Sequence, residues 1–340
     1  MKTHIEKCLS GASLTVEESS LVLDMIVTGQ ATDAQIGGLL VALRAKGETV
    51  DELVGFAQTL RERAVRLKID DADAIDMCGT GGDGLGTFNI STVASFVVAG
   101  AGVTVAKHGN RSVTSKSGSA DVLTALGVNV QCSPEIVQDC VNSIGIGFLF
   151  APLFHPAMKH VAKPRMELGV RSIFNMLGPL INPAGVRRQL IGTYHPDAMR
   201  LLAGALRELG AAKACIVHSD DGMDEVTLSG GTGIVEVNGL AGLREYSLYP
   251  TDFGLPPHGL DSIQGGDKDA NAAIALSVLR GEVSPARDVV IANAALGLHV
   301  AGKISTMPEG KDMAERSIDS GAAMEKLEQL ITLTAAHEYS

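Results

Sequence analysis

Short β-prone runs alternate with helical stretches from residue 74 onward, and this alternation limits the fold more than any other feature. The runs occupy residues 74–78, 103–106, 147–150, 190–193 and 215–218. Strands that alternate with helices pair in parallel, so the pattern predicts an α/β fold with a mainly parallel central sheet. Between residues 222 and 253 the strand-like segments are joined by turns, which predicts antiparallel pairing. Three helical stretches are predicted to close the chain, at about 268–280, 285–301 and 312–336.

Residues 1–68 have a different pattern, which predicts a small helical domain. Three capping boxes each place a threonine three residues before a Glu or Gln: Thr15 with Glu18, Thr32 with Gln35, and Thr49 with Glu52. Each box opens a segment of helical periodicity, because its two side chains satisfy the free backbone N–H groups of a first turn. Gly29 and Gly47 follow the first two segments, where a left-handed cap favours glycine.

A glycine-rich segment, CGTGGDG at residues 78–84, lies between a predicted strand and a predicted helix start at 87–92. Glycines let backbone N–H groups turn toward a ligand, and a helix N-terminus adds partial positive charge, so the segment predicts a phosphate site. Its spacing also fits the dinucleotide pattern G-x-G-x-x-G, which expects an acidic residue after the next strand. That strand ends in Lys107 and His108 instead, which argues against a dinucleotide.

Residues 107–119 carry three basic side chains and five hydroxyls, with no acid before Asp121. In a chain with 28 Lys and Arg against 39 Asp and Glu, such a segment predicts a local anion site, because charge-assisted hydrogen bonds are the strong ones. Adjacent parallel strands would bring it and the glycine-rich segment to the same edge of the sheet. A solvated surface loop is the alternative interpretation.

An acidic group follows the run at 215–218 and includes Asp224 and Glu225. Carboxylates beside a phosphate site are typical of Mg²⁺, which takes one or two carboxylates together with substrate phosphates. A plain acidic turn is the alternative. His155 and His160 are five residues apart, a spacing that does not align them on a helix, so we predict no zinc site there.

The composition excludes several classes of protein. A net charge of −11 provides no global basic field for nucleic acid or an anionic membrane, so neither partner is expected. The five cysteines are widely spaced without a CxxC motif, which predicts buried thiols in a reducing compartment. The longest apolar run, 93–106, is shorter than the roughly 20 residues that span a bilayer. We therefore expect a cytoplasmic protein.

Taken together, these motifs closely resemble the anthranilate phosphoribosyltransferases, a family of tryptophan biosynthesis. The likeness rests on GTGGD at 79–83, NIST at 89–92, KHGNRS at 107–112, SKSGSAD at 115–121 and DE at 224–225. It continues through FHPAM at 154–158, Arg165, IFNMLGPL at 173–180 and NAA at 271–273, and so covers nearly the whole chain.

The resemblance implies a domain division and a reaction. A helical domain of residues 1–68 would include a mid-chain segment at about 163–186, and residues 74–162 and 187–340 would form the α/β domain. The family transfers the phosphoribosyl group of 5-phosphoribosyl 1-pyrophosphate (PRPP) to the amine of anthranilate and releases pyrophosphate. Mg²⁺ is the implied cofactor, with two ions per monomer, and a homodimer through the helical part is the implied assembly.

The same resemblance implies site residues, none of them a side-chain nucleophile. Ser91, Asp224 and Glu225 would hold the metal. Anthranilate would lie against Gly79, His108, Asn110 and Arg165. The residues implied for PRPP are Gly79, Gly82, Asp83, Thr87, Asn89, Ile90, Ser91, Thr92, Lys107, His108, Gly109, Asn110, Arg111, Ser112, Val113, Thr114, Ser115 and Ser119.

Two other functions are compatible with this architecture. A pyrimidine nucleoside phosphorylase shares the fold and a related glycine loop, but it has no need of paired carboxylates for a metal bound to pyrophosphate. A non-catalytic regulator that binds nucleotides or nucleic acid would be expected to have a basic surface. The pair Asp224 and Glu225 and the acidic charge both favour the transferase.

Overall fold

The computed structural model describes residues 1–111 and 117–335. Its first part is helical: α1 (Lys2–Leu9), α2 (Val16–Val27), α3 (Asp33–Lys46) and α4 (Val50–Glu62). All three predicted capping boxes are present, at Thr15, Thr32 and Thr49. Gly29 has a left-handed φ of +75° just after α2, as predicted. For Gly47 that prediction is wrong: its φ of +88° is combined with a ψ of 126°, because the chain must extend to reach the next cap at Thr49.

The described residues of the α/β part form one seven-stranded sheet. Its strands are β1 (Ile75–Gly79), β2 (Val105–Gly109), β3 (Ile146–Phe150), β4 (Arg188–Gly192), β5 (Lys213–Ser219), β6 (Thr232–Asn238) and β7 (Leu243–Leu248). Their order is β3-β2-β1-β4-β5-β6-β7, and the first five are parallel while β6 and β7 are antiparallel. The mainly parallel sheet and its antiparallel end are therefore confirmed.

Twelve helices accompany these strands in the described part of the chain. They are α5 (Ile90–Gly100), α6 (Ser119–Ala125), α7 (Pro134–Ile144), α8 (Ala151–Phe154), α9 (Lys159–Leu168), α10 (Phe174–Leu177), α11 (Pro196–Glu208), α12 (Pro250–Phe253), α13 (Lys268–Leu279), α14 (Pro285–Val300), α15 (Met307–Asp319) and α16 (Ala322–Ala335). The single helix predicted over 312–336 is wrong. Gly321 has a φ of +79°, which ends α15 and allows α16 to start in a new direction.

Each face of the sheet is covered by a separate apolar core. Met77 of β1 packs on the face covered by α5 and α14, and a Cβ on Gly297 of α14 would lie 3.1 Å from its sulfur. Cys78, the next residue of β1, belongs to the opposite core with Phe56 of α4 and Leu202 of α11. The alternation of strand side chains thus buries β1 on both faces, as expected for a central parallel strand.

The mid-chain segment lies against the helical part of the molecule. Helix α9 packs on α2 and α3, and α10 and the 3₁₀ turn Gly178–Ile181 pack on α4. The same turn also reaches the sheet, because the Gly178 carbonyl lies 3.1 Å from Nδ1 of His108 on β2. Within the described residues, each helix is too short or too polar to cross a bilayer.

Candidate active site

The glycine loop leaves the carboxyl end of β1 and leads into α5. Gly81, Gly82 and Gly84 have φ values of +65°, +87° and +76°, which a residue with a side chain rarely adopts. The backbone N–H of Thr80 donates to the Gly192 carbonyl at the end of β4, at 2.8 Å, and fixes the start of the loop. The loop thus connects the end of β1 directly to the N-terminus of α5, the arrangement from which a phosphate site is predicted.

Asn89 ties this loop to two other parts of the chain. It precedes α5 without capping it, and its side chain instead donates to the Ser117 carbonyl at 3.2 Å and accepts from the Asn271 amide at 3.1 Å. Thr87 forms an isolated bridge with Gln264. Ile90 and Thr92, also predicted for the PRPP site, are buried in the first turn of α5, and the Ile90 side chain belongs to the apolar core.

The second predicted anion segment follows β2, the neighbour of β1. Lys107 is buried, and its Nζ donates to the Met77 carbonyl and lies 3.4 Å from the Ser91 hydroxyl. A Cβ on Gly109 would lie 2.4 Å from the Ser119 hydroxyl, which donates to the Asn110 carbonyl at 3.2 Å. Arg111 pairs with Asp121 at 2.9 Å.

The structure places the glycine loop and the described residues of the second segment, 107–111 and 117–119, at one edge of the sheet. Of the predicted residues, Ser112, Val113, Thr114 and Ser115 lie outside the described part of the chain.

The acidic pair reaches this edge from the loop between β5 and β6. Its backbone passes so close to β4 that a Cβ on Gly192 would lie 1.6 Å from the Asp224 carbonyl oxygen. The Asp224 carboxylate then lies over β1, with Oδ2 3.0 Å from the position of a Cβ on Gly79. Glu225 accepts a hydrogen bond from the Ser91 backbone N–H at 3.0 Å. Asp224, Glu225 and Ser91 thus meet where the glycine loop begins.

These carboxylates are protonated more readily than ordinary ones. Burial, followed by the charges of Asp83 and Glu225, raises the pKa of Asp224 well above its ordinary value. Burial also raises the pKa of Glu225 to about 7, although Lys107 and Ser91 act in the opposite direction. Asp83, Asp224 and Glu225 therefore form a local excess of negative charge, which the Lys107 ammonium counteracts at Glu225.

This excess fits a divalent cation. The Oδ2 atom of Asp83 is buried without a hydrogen-bond partner among the described residues, and a cation is one group that can satisfy such an oxygen. All of the available ligand atoms are carboxylate or hydroxyl oxygens, and Mg²⁺ prefers such hard ligands to nitrogen or sulfur. The residues predicted for the metal therefore have suitable chemistry.

Two buried histidines, His108 of β2 and His155 just after α8, contact each other near the carboxyl end of β2. The rings of His108 and His155 meet edge to face, with centroids 5.2 Å apart. Burial lowers the pKa of His108 to about 3 and that of His155 to about 4, so both imidazoles are neutral at physiological pH. The His108 Nε2 atom has no hydrogen-bond partner among the described residues. A neutral, planar wall of this kind suits an aromatic ligand.

Two arginines of the mid-chain segment take different positions. Arg165 is half-buried, with its guanidinium carbon 5.2 Å from the centre of the Phe174 ring, and burial lowers its pKa. Arg171 donates to the Gly82 carbonyl of the glycine loop, and its guanidinium lies 3.9 Å from the centre of the Tyr194 ring. This contact of Arg171 was not predicted, because nothing in the neighbouring sequence distinguishes Arg171 from other arginines.

A different cluster has the ligand types of a softer metal. Suitable atoms of Cys215, Glu236 and His299 lie within 4.8 Å of one another. However, Tyr246 already donates to Glu236 at 2.8 Å, and the Lys213 ammonium is 3.7 Å from the same carboxylate. These neighbours lower the pKa of Glu236 to about 2, with the His299 contact the largest cause. The cluster is explained as a buried ion-pair network.

Comparison with known proteins places the whole chain in one group. Residues 2–64 match the model of the glycosyl transferase family, helical bundle domain, and residues 71–324 match that of the glycosyl transferase family, a/b domain. An anthranilate phosphoribosyltransferase of Moorella thermoacetica is 50% identical over 331 residues, 97% of each chain. One from Anaeromyxobacter dehalogenans is 53% identical over 330 residues, again 97% of each chain.

Solved structures give the same result. The anthranilate phosphoribosyltransferase of Thermus thermophilus superposes with a TM-score of 0.93 at 41% identity, covering 98% of this chain and 99% of its own. The Saccharomyces cerevisiae enzyme in complex with PRPP and Mg has a TM-score of 0.90 at 28% identity, covering 98% of both chains. The same yeast enzyme in complex with 4-fluoroanthranilate has a TM-score of 0.90 at 27% identity, covering 98% and 97%.

Proposed function

The chain belongs to the anthranilate phosphoribosyltransferases of the glycosyl transferase family, and on that premise we propose which of its residues perform the reaction. It transfers the phosphoribosyl group of PRPP to the amine of anthranilate in tryptophan biosynthesis, giving N-(5-phosphoribosyl)anthranilate and pyrophosphate. Identity of about one half over nearly the full chain favours this activity over the nucleoside phosphorylase and the non-catalytic regulator.

One observation carries the assignment of the PRPP site. The glycine loop, Lys107 and the pair Asp224 and Glu225 come from three separate parts of the sequence, yet meet at one edge of the sheet. Backbone N–H groups and an ammonium supply donors for phosphate oxygens, and the carboxylates can hold a cation between them. We assign the described residues predicted for PRPP to this site: Gly79, Gly82, Asp83, Thr87, Asn89, Ile90, Ser91, Thr92, Lys107, His108, Gly109, Asn110, Arg111 and Ser119.

Mg²⁺ is bound with PRPP in the yeast relative, and here Ser91, Asp224 and Glu225 would hold it. The raised pKa values of both carboxyl groups support this assignment, because a cation would stabilise their charged forms. Two ions per monomer agree with the number of carboxylates once Asp83 is included. When bound, Mg²⁺ supplies charge neutralisation on the departing pyrophosphate.

Anthranilate would lie beside the histidine pair, near the part of the mid-chain segment that carries Arg165. Arg165 would pair with its carboxylate, because a guanidinium can bind a planar carboxylate through two parallel hydrogen bonds. Its position over Phe174 and its desolvation support a preformed site. His108 would form a wall for the ring, and Gly79 and Asn110 would complete the contacts near the amine.

The chemistry is a single displacement at C1 of the ribose. The anthranilate nitrogen attacks C1 while the bond from C1 to the pyrophosphate oxygen breaks, and the amine then loses a proton. Catalysis rests on positioning and on stabilising the leaving group's charge, to which Lys107 and the amides of the glycine loop contribute. Inversion at C1 follows because one displacement occurs without a covalent enzyme intermediate.

A homodimer through the helical part is also proposed. Leu9, Val41 and Met166 are 69%, 48% and 76% exposed, although each is a large apolar side chain. They belong to α1, α3 and α9, and both α1 and α9 pack on α3, so these residues lie on neighbouring elements. Exposed apolar groups gathered in this way mark an interaction surface.

The five cysteines are buried free thiols, which supports the expected reducing, cytoplasmic compartment.

The direct test of the proposed activity is the loss of anthranilate fluorescence. The purified protein is mixed with anthranilate, PRPP and MgCl₂, with controls that omit PRPP or add a chelator. We expect a loss that requires both PRPP and metal. Fluorescence that stays constant while the protein phosphorolyses pyrimidine nucleosides would instead support the phosphorylase.

A further inference from the structure

The seam between β1 and β2 is the incomplete one among the parallel seams of the sheet. Each of the other three parallel seams, β1 with β4, β2 with β3 and β4 with β5, is joined by five residue pairs. Only one pair, Ile75 with Val105, joins β1 to β2. Toward their carboxyl ends, where the glycine loop and Lys107 begin the proposed PRPP site, the described residues of these two strands form no further ladder pair.

On one face of the sheet, two buried side chains occupy the gap. Asp76 accepts a hydrogen bond from the His108 backbone N–H at 3.1 Å and another from the Asn182 amide at 2.8 Å. The same Asn182 amide donates to the Ala106 carbonyl at 2.9 Å. Asp76 is 0% exposed and Asn182 is 4% exposed. Side chains thus satisfy backbone groups of β2 that a complete ladder would have paired with β1.

On the other face, Lys107 bridges the same gap by donating to the Met77 carbonyl. Burial raises the pKa of Asp76 and lowers that of Lys107, and each charge partly counteracts the shift of the other. Burying charges is costly, and apolar residues of similar volume often stabilise a core as well or better. Asp76 and Lys107 also pair normally with Gln189 of β4 and Phe148 of β3, so strand pairing alone does not require charges that bridge the seam between β1 and β2.

We propose that Asp76 and Asn182 are positioning residues for the phosphoribosyl transfer: they hold β1 and β2 apart and thereby fix Lys107 and His108 on opposite faces of the seam. The inference rests on the proposed roles of Lys107 at PRPP and His108 at anthranilate. It adds that one buried pair sets the geometry of both substrate subsites. Loss of the pair would let the strands approach and move both residues together.

The test uses three variants in the fluorescence assay. Asp76 accepts hydrogen bonds from the His108 N–H and the Asn182 amide, one on each carboxylate oxygen. In Asp76→Asn one of these oxygens becomes an NH₂ group, which cannot accept, so one of the two hydrogen bonds is lost. Asn182→Asp places a carboxylate against Asp76. The double variant Asp76→Asn with Asn182→Asp restores a donor facing an acceptor between the two residues. Ser317→Ala serves as the control, because it removes an equally buried hydrogen bond, to the Val97 carbonyl, away from the seam.

We expect each single variant to raise the KM for PRPP and for anthranilate together, by about tenfold or more, while the control leaves both unchanged. The double variant should recover part of the loss, because the contact between the two side chains is restored. If Asp76→Asn does not fold, Asn182→Ser, whose hydroxyl can donate to only one of the two acceptors, carries the same expectation.

Two results would overturn the proposal. A purely structural role would lower the melting temperature and the active fraction while both KM values stay at the wild-type level. A rise confined to one substrate would show that the pair does not position both subsites. Absence of PRPP-dependent turnover in the wild-type protein would instead overturn the proposed function, so the two failures are distinguishable.

Discussion

Replacement of Gly192 by alanine should abolish most of the activity, although Gly192 is not assigned to the binding of either substrate or the metal. A Cβ there would lie 1.6 Å from the Asp224 carbonyl oxygen and 2.6 Å from its carbonyl carbon. Ordinary van der Waals contact begins near 3.4 Å, so the Asp224 backbone would have to withdraw by about 1.8 Å, the difference between 3.4 and 1.6. A backbone cannot rotate away as a flexible side chain can.

The consequence is a displaced carboxylate pair. Misplacement of a reacting geometry by about 1 Å can cost on the order of 100-fold in rate, so we expect kcat/KM for Gly192→Ala to fall at least that far. Overpacking should also cost about 1–3 kcal/mol of stability. Higher MgCl₂ should recover part of the rate, because the variant weakens a metal site and removes no catalytic group.

The assay is the initial rate of fluorescence loss at a temperature well below the melting point of both proteins. Gly259→Ala is the matched control, since Gly259 has a φ of −74° and open space around its Cβ position. That control should keep wild-type activity and stability. A folded Gly192→Ala protein with kcat/KM within threefold of wild type would refute the argument that Gly192 fixes the position of Asp224.

Three further predictions concern the ligands, the charges and the assembly. Arg165→Ala should raise the KM for anthranilate by roughly 10- to 100-fold, because the free energy of a charge-assisted hydrogen bond corresponds to that change in affinity. In the same steady-state kinetics the KM for PRPP should stay within about twofold of wild type. In metal-free protein the folded state holds a proton on Glu225 up to about pH 7, whereas the unfolded chain releases it near 4.5, so this group's contribution to stability is lost as the pH rises between those values. The melting temperature of the wild type minus that of Glu225→Gln should therefore fall from pH 5 to 7, and saturating MgCl₂ should remove the trend. Val41→Glu combined with Met166→Glu should yield a monomer in analytical ultracentrifugation, and an unchanged mass would exclude this face from the interface.

Much of the fold follows from local sequence signals. Thr15, Thr32 and Thr49 open helices because each capping box needs only residues three positions apart. The alternation of strand and helix gave the parallel sheet, since that rule also depends on neighbours along the chain. The break between α15 and α16 was missed, because a single glycine, Gly321, inside a long helical pattern does not by itself indicate whether a helix ends.

The proposed site also has one part that the local sequence indicates and another that depends on the fold. The glycine loop and the segment after β2 are continuous in sequence, so their chemistry was visible before the structure. The crossing of Asp224 over Gly192 was not, because it joins positions whose proximity depends on the strand order. A glycine inside a strand pattern can signal a close backbone approach, which is the one local clue that Gly192 offered. The buried Asp76 offered a similar clue, as an acidic residue in an otherwise apolar central strand.

Asp224 and Glu225 are proposed to bind the metal that PRPP requires, and the rest of the proposed mechanism depends on this role. The measurement that tests it most directly is the initial rate of anthranilate fluorescence loss for Asp224→Asn with Glu225→Gln, titrated with PRPP and MgCl₂. We expect a large fall in kcat/KM for PRPP and a higher MgCl₂ requirement, with the KM for anthranilate little changed. Wild-type dependence on PRPP and MgCl₂ in that folded variant would contradict it.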